Sequence, residues 1–392
     1  MTATAPVKPE LIRWAIDRSR LPESELRKKF PKLAEWLSAE RQPTIRQLEN
    51  FAKATMTPLG FLLLSSPPRE KISIPDFRTA GDTPIDRPSP NLIDTIQTIQ
   101  QRQAWARDLL IEEGHEPLGF VGSGRSTRSF KSLAQAIRKE LDLAPDWAEL
   151  SGDWEDALRM LRNAFERVGI LVFSGSRVGF SNARKLDPEE FRGFVLCDPY
   201  APAVFVNSAD SKSAQMFTLA HEIVHVWLGS NGLFNLIRMM PARDQTEKFC
   251  NRVAAEFLIP EYKLKDRWKE ARSARQPFHL VARWFKVSPV VAARRALDLG
   301  LITRPEFFRF YEKDRAEWHR RKEEQRKSKR DGGDFYRNQD VRLGRRFATL
   351  IVRAVREGRI LYRDAYRLTD LRGETFDKYA ALVLERMRHE RQ

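Results

Sequence analysis

Three reactive side chains lie within one apolar stretch of the chain, at the spacing His-Glu-x-x-His. His221, Glu222 and His225 lie in the segment FTLAHEIVHVWLG, residues 217–229, whose apolar pattern predicts a helix. Residues four positions apart on a helix share one face, so both imidazoles can bind one metal ion. Glu222 lies about a quarter-turn away, where it can act on a water molecule beside the metal. The spacing predicts a zinc peptidase site, and the alternative interpretation is a pair of core histidines.

A second predicted helix, TEKFCNRVAAEFLIP, supplies candidates for a third metal ligand. Catalytic zinc commonly takes three protein ligands and keeps one position open. Glu247 stands at the start of this helix and completes a His-His-Glu set with His221 and His225. Asn251, one turn later, is placed to hydrogen-bond a ligating histidine. Glu256 is the rival third ligand, but the Phe-Leu-Ile-Pro that follows it favours another orientation.

The two helical segments resemble a known family. FTLAHEIVH and EKFCNRVAAEFLIP are similar to the signature helices of the ImmA/IrrE family of bacterial and phage metallopeptidases, and FHLVARWFKVSPVVAARRALDLGLI (residues 278–302) resembles the segment that follows them. The resemblance covers roughly residues 150–302 and departs at Val224, where glycine is common. It implies a zincin-like fold of the gluzincin type. It also implies cleavage of a partner transcriptional regulator, such as a repressor or antitoxin.

The ligand set implies a hydrolytic mechanism. Zinc is the expected cofactor, and the same donors also bind Mn²⁺ or Fe²⁺. Glu222 is the predicted general base that takes a proton from the attacking water and returns it to the leaving amine. A donor to the developing oxyanion is also required. Tyr262 and His279 are the candidates downstream, and each has the alternative interpretation of an ordinary surface residue.

Upstream of the histidine helix, short runs rich in valine and phenylalanine predict strands. These runs span residues 169–175, 191–197 and 202–207, and the Asp-Pro-Tyr-Ala-Pro at 198–202 predicts a hairpin connection. We therefore expect an α+β fold, predominantly helical, with a small β-sheet. An edge of that sheet could hold an extended peptide substrate, or the sheet could be purely structural.

The N-terminal part has a separate character. Residues 9–64 read as a series of short helices and resemble the helix-turn-helix domain of phage-repressor-type regulators. Such domains place their second helix in the DNA major groove. Lys32, Arg41 and Arg46 are the candidate DNA-binding residues. The alternative is that this domain recognises a partner repressor or antitoxin instead of DNA.

The C-terminal part concentrates the positive charge of the chain. Residues 301–392 hold 25 basic and 16 acidic side chains, a net +9 of the chain's +16. This balance predicts a nucleic-acid or acidic-protein partner, and the alternative is a soluble arginine-rich helical module. We predict five parts: a helix-turn-helix domain (1–65), a proline-rich linker (66–90), a metallopeptidase domain (91–302, core 150–302), a charged linker or helix (303–333) and a basic all-helical module (334–392).

Two functional hypotheses follow. The first is a cytoplasmic, zinc-dependent endopeptidase acting on a regulator protein. The second is a DNA-binding transcriptional regulator, or an antitoxin-like binding protein, that keeps the peptidase fold as a scaffold. The two cysteines, Cys197 and Cys250, fall in separate elements and predict no disulfide framework, which suits a reducing compartment. No apolar run approaches the ~20 residues of a membrane span, so we expect no membrane partner.

Overall fold

The computed structural model describes residues 4–68, 70, 88–234, 245–327 and 335–389. Contacts between residues divide the chain into two compact units. The first unit consists of Met1–Ser73 and Ile85–Gln97, and the second consists of Ile74–Pro84 and Thr98–Gln392. Most of the predicted proline-rich linker lies outside the described residues. We predicted three parts for this region, residues 91–302, 303–333 and 334–392, whereas the contacts group residues 98–392 into one unit.

The described part of the first unit is helical. Its elements up to residue 70 are α1 (Pro9–Ser19), α2 (Glu23–Lys29), α3 (Leu33–Leu37), α4 (Ile45–Ala54) and a 3₁₀ turn (Leu59–Leu63). Phe30, Trp36 and Phe51 meet in its core with ring centroids 5.5–6.0 Å apart. Helix α4 begins at a capping box in which Thr44 and Gln47 satisfy each other's backbone N–H groups.

The remaining elements follow in chain order: α5 (Pro90–Glu112), α6 (Phe130–Glu140), a 3₁₀ turn (Trp147–Leu150), α7 (Trp154–Arg167), β1 (Leu171–Gly175), β2 (Gly193–Leu196), β3 (Ala203–Asn207), α8 (Lys212–Leu228), β4 (Gly232–Phe234), α9 (Gln245–Leu258), α10 (Glu261–Ser273), α11 (Pro277–Phe285), α12 (Pro289–Asp298), α13 (Arg304–Lys327), α14 (Phe335–Leu343), α15 (Arg345–Arg356), α16 (Tyr362–Thr369) and α17 (Gly373–His389).

The sheet of the second unit has the strand order β1-β3-β2-β4. β1 and β3 are parallel, while β2 runs antiparallel to both β3 and β4. The first three strands fall within the runs predicted from the sequence, but β4 was not predicted. The turn between β2 and β3 is built on Asp198, whose Oδ1 accepts hydrogen bonds from the N–H groups of Tyr200 and Ala201.

Helices cover this sheet and explain its burial. Every residue of β2 and β3 is buried, and α8 packs against both strands. α14 and α15 pack against β1, where the ring of Phe347 meets those of Phe173 and Trp105 at 5.2 and 5.6 Å. The basic C-terminal helices therefore bury an apolar face in the second unit, because α15 is strongly amphipathic and turns Phe347 and Ile351 inward.

The described residues thus form a mainly helical protein with one small sheet, compatible with the predicted α+β class. In the part of the chain that is described, no helix combines the length and the apolar character needed to cross a membrane.

Candidate metal centre

The reactive residues lie on α8, whose ends are defined by local signals. The side chain of Ser211 accepts a hydrogen bond from the N–H of Ala214 and caps the first turn. Gly229 adopts the left-handed conformation (φ 65°, ψ 34°) that ends a helix. Between these ends α8 is buried almost all round, and His221 and Glu222 are completely inaccessible to solvent. The fold therefore holds the side chains of His221, Glu222 and His225 in the interior of the unit.

Two histidines of α8 and one carboxylate of α9 converge on a single point. The Nε2 atoms of His221 and His225 are 3.1 Å apart, and each lies 3.2 Å from an oxygen of Glu247. Donor atoms around a tetrahedral zinc ion, each about 2.0–2.1 Å from the metal, lie roughly 3.3–3.4 Å from one another. The three donors thus have both the chemistry and the spacing to hold a divalent metal. No second group of this kind occurs among the described residues.

Each histidine is oriented by a hydrogen-bonding partner at its other nitrogen. His221 Nδ1 lies 3.1 Å from Asn251 Oδ1, as the sequence predicts for this asparagine. His225 Nδ1 lies 3.1 Å from the hydroxyl of Ser230. With oxygens accepting from Nδ1–H, both Nε2 atoms keep the lone pair that a metal needs. Ser230 was missed by sequence reasoning, and its only signal is its position just after the glycine that ends α8.

Glu222 is a buried carboxyl group that protein atoms do not satisfy. Neither carboxyl oxygen has a hydrogen-bond partner among the described residues. Such burial is costly unless a polar occupant joins the site. Gly193 allows β2 to lie close to α8 beside this carboxyl, because a Cβ added there would lie 2.6 Å from Thr218 Cγ2 and would contact Glu222 Oε1 at 3.4 Å. The unsatisfied carboxyl beside the three donors fits a site that holds a metal ion and a water molecule.

The pKa values of the site residues also favour the binding of a metal cation. Burial lowers the pKa of His221, which keeps its imidazole neutral and able to ligate. Burial alone would raise the pKa of Glu247, but attraction and hydrogen bonds from His221 and His225 outweigh it and lower that pKa. Burial, and then the charge of Glu247, raise the pKa of Glu222 well above its usual range. A neutral His221 and an ionised Glu247 are in the states that metal binding requires.

The strand β4 borders the same site. Gly232 pairs with Val195 of β2, and a Cβ at Gly232 would lie 3.2 Å from the imidazole of His225. A side chain at this position would press on the ring, so glycine permits the close approach of backbone and ligand. Neither Gly193 nor Gly232 was singled out from the sequence, because a contact between a strand and a distant helix leaves no local pattern.

The other candidates in the peptidase segment lie elsewhere. Glu256, the rival third ligand, is buried in an ion pair with Arg295, and its Oε1 accepts from the N–H of Glu261 at 3.3 Å. Tyr262 is 56% exposed on α10. His279 lies on α11 with its ring edge-on to Phe310, at 6.0 Å. These surroundings give no support to Glu256 as a ligand.

The candidate DNA-binding residues belong to the first unit. Lys32 is the half-buried residue that precedes α3, a helix of only five residues. Arg41 is exposed and forms an ion pair with Glu35 at 3.6 Å. Arg46 lies exposed in the first turn of α4. The structure therefore distributes the three cations over separate elements of the unit.

Comparison with known families agrees with the geometry of the second unit. Residues 165–297 match the M78 peptidase model, described as the IrrE N-terminal-like domain, and this stretch contains α8 and α9. Residues 343–381, which span α15 and α16, match a domain of unknown function (DUF8813). No curated protein matches the chain. The first match supports the ImmA/IrrE peptidase family for the segment that carries the metal-binding geometry, and with it a metallopeptidase-type function.

Proposed function

We propose that this chain is a zinc-dependent endopeptidase of zincin-like fold that cleaves a partner transcriptional regulator, a repressor or an antitoxin. The observation that carries the proposal is the convergence of His221, His225 and Glu247 beside the unsatisfied carboxyl of Glu222. The family match over residues 165–297 supports a peptidase. The choice of a regulator as substrate rests on the family resemblance alone.

In this mechanism each residue has a distinct task. His221, His225 and Glu247 would hold the metal, while Asn251 and Ser230 keep the two imidazoles in the ligating orientation. A bound zinc ion would supply Lewis-acid activation of water and of the scissile carbonyl. Glu222 would accept a proton from the attacking water and deliver it to the leaving amine. Burial raises the pKa of the Glu222 carboxyl, which makes the carboxylate a stronger proton acceptor than an exposed one.

The test compares three variants with wild type on a peptide mixture derived from a whole proteome. Cleaved bonds are read by mass spectrometry, and bound zinc is measured on the same preparations. We expect Glu222→Gln to keep zinc and lose cleavage, and His225→Ala to lose both. Glu312→Gln, an exposed change on α13, is the matched control and should keep both. Undiminished cleavage by Glu222→Gln would remove Glu222 as the base.

The second candidate function is DNA binding through the first unit. It is supported by the exposed side chains of Arg41 and Arg46 in that unit. Binding of duplex DNA should then weaken steeply with salt. It should also be unchanged by His221→Ala and reduced by Arg46→Gln. Duplex affinity that is unaffected by Arg46→Gln and Arg41→Gln would count against this role of the first unit.

A further inference from the structure

A large basic cavity adjoins the candidate metal centre. Its volume is about 1000 Å³, the upper end of the roughly 300–1,000 Å³ usual for binding clefts. It is bordered by residues of α6, α8, α9, α10 and α12 and by the loop before α6. The candidate metal ligands do not line it, but Asn251, which contacts His221, does. We call this cavity the basic groove.

The charge of the groove is strongly one-sided. Eight basic side chains and two carboxylates line it. Four of the cations have carboxylate partners within the described residues: Lys131 and Lys265 pair with Glu261, Arg294 pairs with Asp298, and Arg295 pairs with Glu256. The other four, Arg125, Arg128, Lys248 and Arg252, have no carboxylate partner among the residues described. The groove therefore keeps an excess of positive charge for an anionic occupant.

Some of these cations are held in place. The guanidinium of Arg125 donates to the carbonyls of Leu228 and Gly229 at 3.2 and 3.1 Å, at the end of α8. The guanidinium of Arg252 lies 4.1 Å from the ring centre of Phe130. A cation stacked on an aromatic face keeps its N–H groups directed outward, and it loses little freedom on binding an anion. These cations are thus preorganised for carboxylate or phosphate groups.

We propose that the basic groove binds an acidic segment of the protein substrate near the bond that is cleaved. This inference rests on the proposed peptidase function, because it identifies the occupant as part of the substrate. Apolar side chains such as Phe217 and Phe249 also line the groove. A peptide that carries both acidic and apolar side chains matches such a surface. Asn251 borders the groove and contacts His221, so a bound peptide would lie next to the site of hydrolysis.

The experiment measures binding separately from cleavage. The probe is a fluorescein-labelled 12-residue peptide that alternates glutamate with leucine and alanine, and its partner carries glutamine at every glutamate. Fluorescence anisotropy on zinc-loaded Glu222→Gln protein gives the affinity of each peptide. We expect the glutamate peptide to bind roughly tenfold more tightly than the glutamine peptide, with the difference shrinking at high salt.

Groove variants then test where the peptide binds. In the same background, Arg128→Gln, Lys248→Gln and Arg252→Gln together should weaken the glutamate peptide roughly tenfold. The matched control replaces three exposed cations outside the groove: Lys269→Gln, Arg283→Gln and Arg309→Gln. It should change the affinity less than twofold. Should the triple variant fold poorly, Arg128→Gln alone, in an exposed loop, should still weaken the glutamate peptide two- to threefold.

Each outcome has a distinct meaning. Equal affinity for the two peptides, or unchanged binding by the groove variants, would overturn the inference. A single-stranded oligonucleotide that outcompetes the glutamate peptide, and that the groove variants no longer bind, would overturn it in favour of nucleic acid. Binding without cleavage by zinc-loaded wild type would count against the proposed function and leave the groove assignment standing. Equal cleavage and equal binding of both peptides would support the proposed peptidase function and count against the groove assignment.

Discussion

Replacing Gly193 by alanine perturbs the packing of the general base without touching a metal ligand. The added Cβ would lie 2.6 Å from Thr218 Cγ2 and 2.9 Å from the backbone oxygen of Phe205. Ordinary carbon contacts are about 3.5–4.0 Å, so α8 and β2 must separate by roughly 1 Å near Thr218 unless its side chain can turn. Thr218 is only 2% exposed, which limits that freedom. Glu222 stands one turn further along the same helix, and its Oε1 would lie in contact with the new Cβ at 3.4 Å, so the crowding reaches this carboxyl and not the metal ligands.

The expected effects can be given as magnitudes. Overpacking of a filled core typically costs about 1–3 kcal/mol of folding free energy. A displacement of about 1 Å in a catalytic group can reduce the rate up to ~10²-fold. Zinc binding should persist, because the new Cβ lies against Thr218, Phe205 and Glu222 and not against the ligands. Gly193→Ala should therefore lose stability and turnover while it keeps its metal.

The assay combines urea unfolding, zinc content and the initial rate on a peptide that wild type cleaves. Gly119→Ala is the matched control, since nothing lies within 4 Å of a Cβ at that exposed position. We expect this control to stay within about 0.5 kcal/mol of wild type. Wild-type stability and rate in Gly193→Ala would refute the argument that the glycine is required by the close approach of β2 to α8. Loss of zinc would show that the displacement reaches the ligands.

Three further predictions follow from single contacts. Asn251→Ala should weaken zinc affinity about 10–100-fold, measured by competition with a chelator, because His221 loses the partner that orients it; unchanged affinity would contradict this. Glu256→Met should destabilise the protein by about 3–5 kcal/mol in urea unfolding, because Arg295 is left buried and unpaired. Adding Arg295→Met should recover much of this loss, and the absence of recovery would show that the loss does not come from the unpaired Arg295. Burial raises the pKa of Glu166 from 4.5 to about 7, so its protonated form is favoured in the folded state. The shifted pKa therefore adds to the free energy of unfolding, fully below pH 4.5 and progressively less as the pH rises through 7. Glu166→Gln should reduce this dependence of the free energy of unfolding on pH, measured by unfolding curves across the range.

The sequence alone was sufficient wherever the information is local. The positions of His221, Glu222 and His225 follow from helical periodicity within residues 217–229, whereas the start of their helix at Lys212, capped by Ser211, was not predicted. The three predicted strands occur because their valine and phenylalanine runs are interrupted by turn residues. Glu247 and Asn251 required one more step, the assumption that a second helix lies beside the first. The structure brings both side chains to the histidines.

Only the tertiary structure shows the features that depend on contacts between elements distant in sequence. Gly193 and Ser230 border the site from β2 and from the end of α8, and only the folded backbone shows which side chains they meet. The basic excess of the C-terminal part suggested a separate module. Its helix α15 instead packs an apolar face on β1, because charge composition reports the exposed face and not the buried one. The basic groove also depends on tertiary structure, since its cations come from a loop and several helices far apart in sequence, which share one cavity only when these elements pack together.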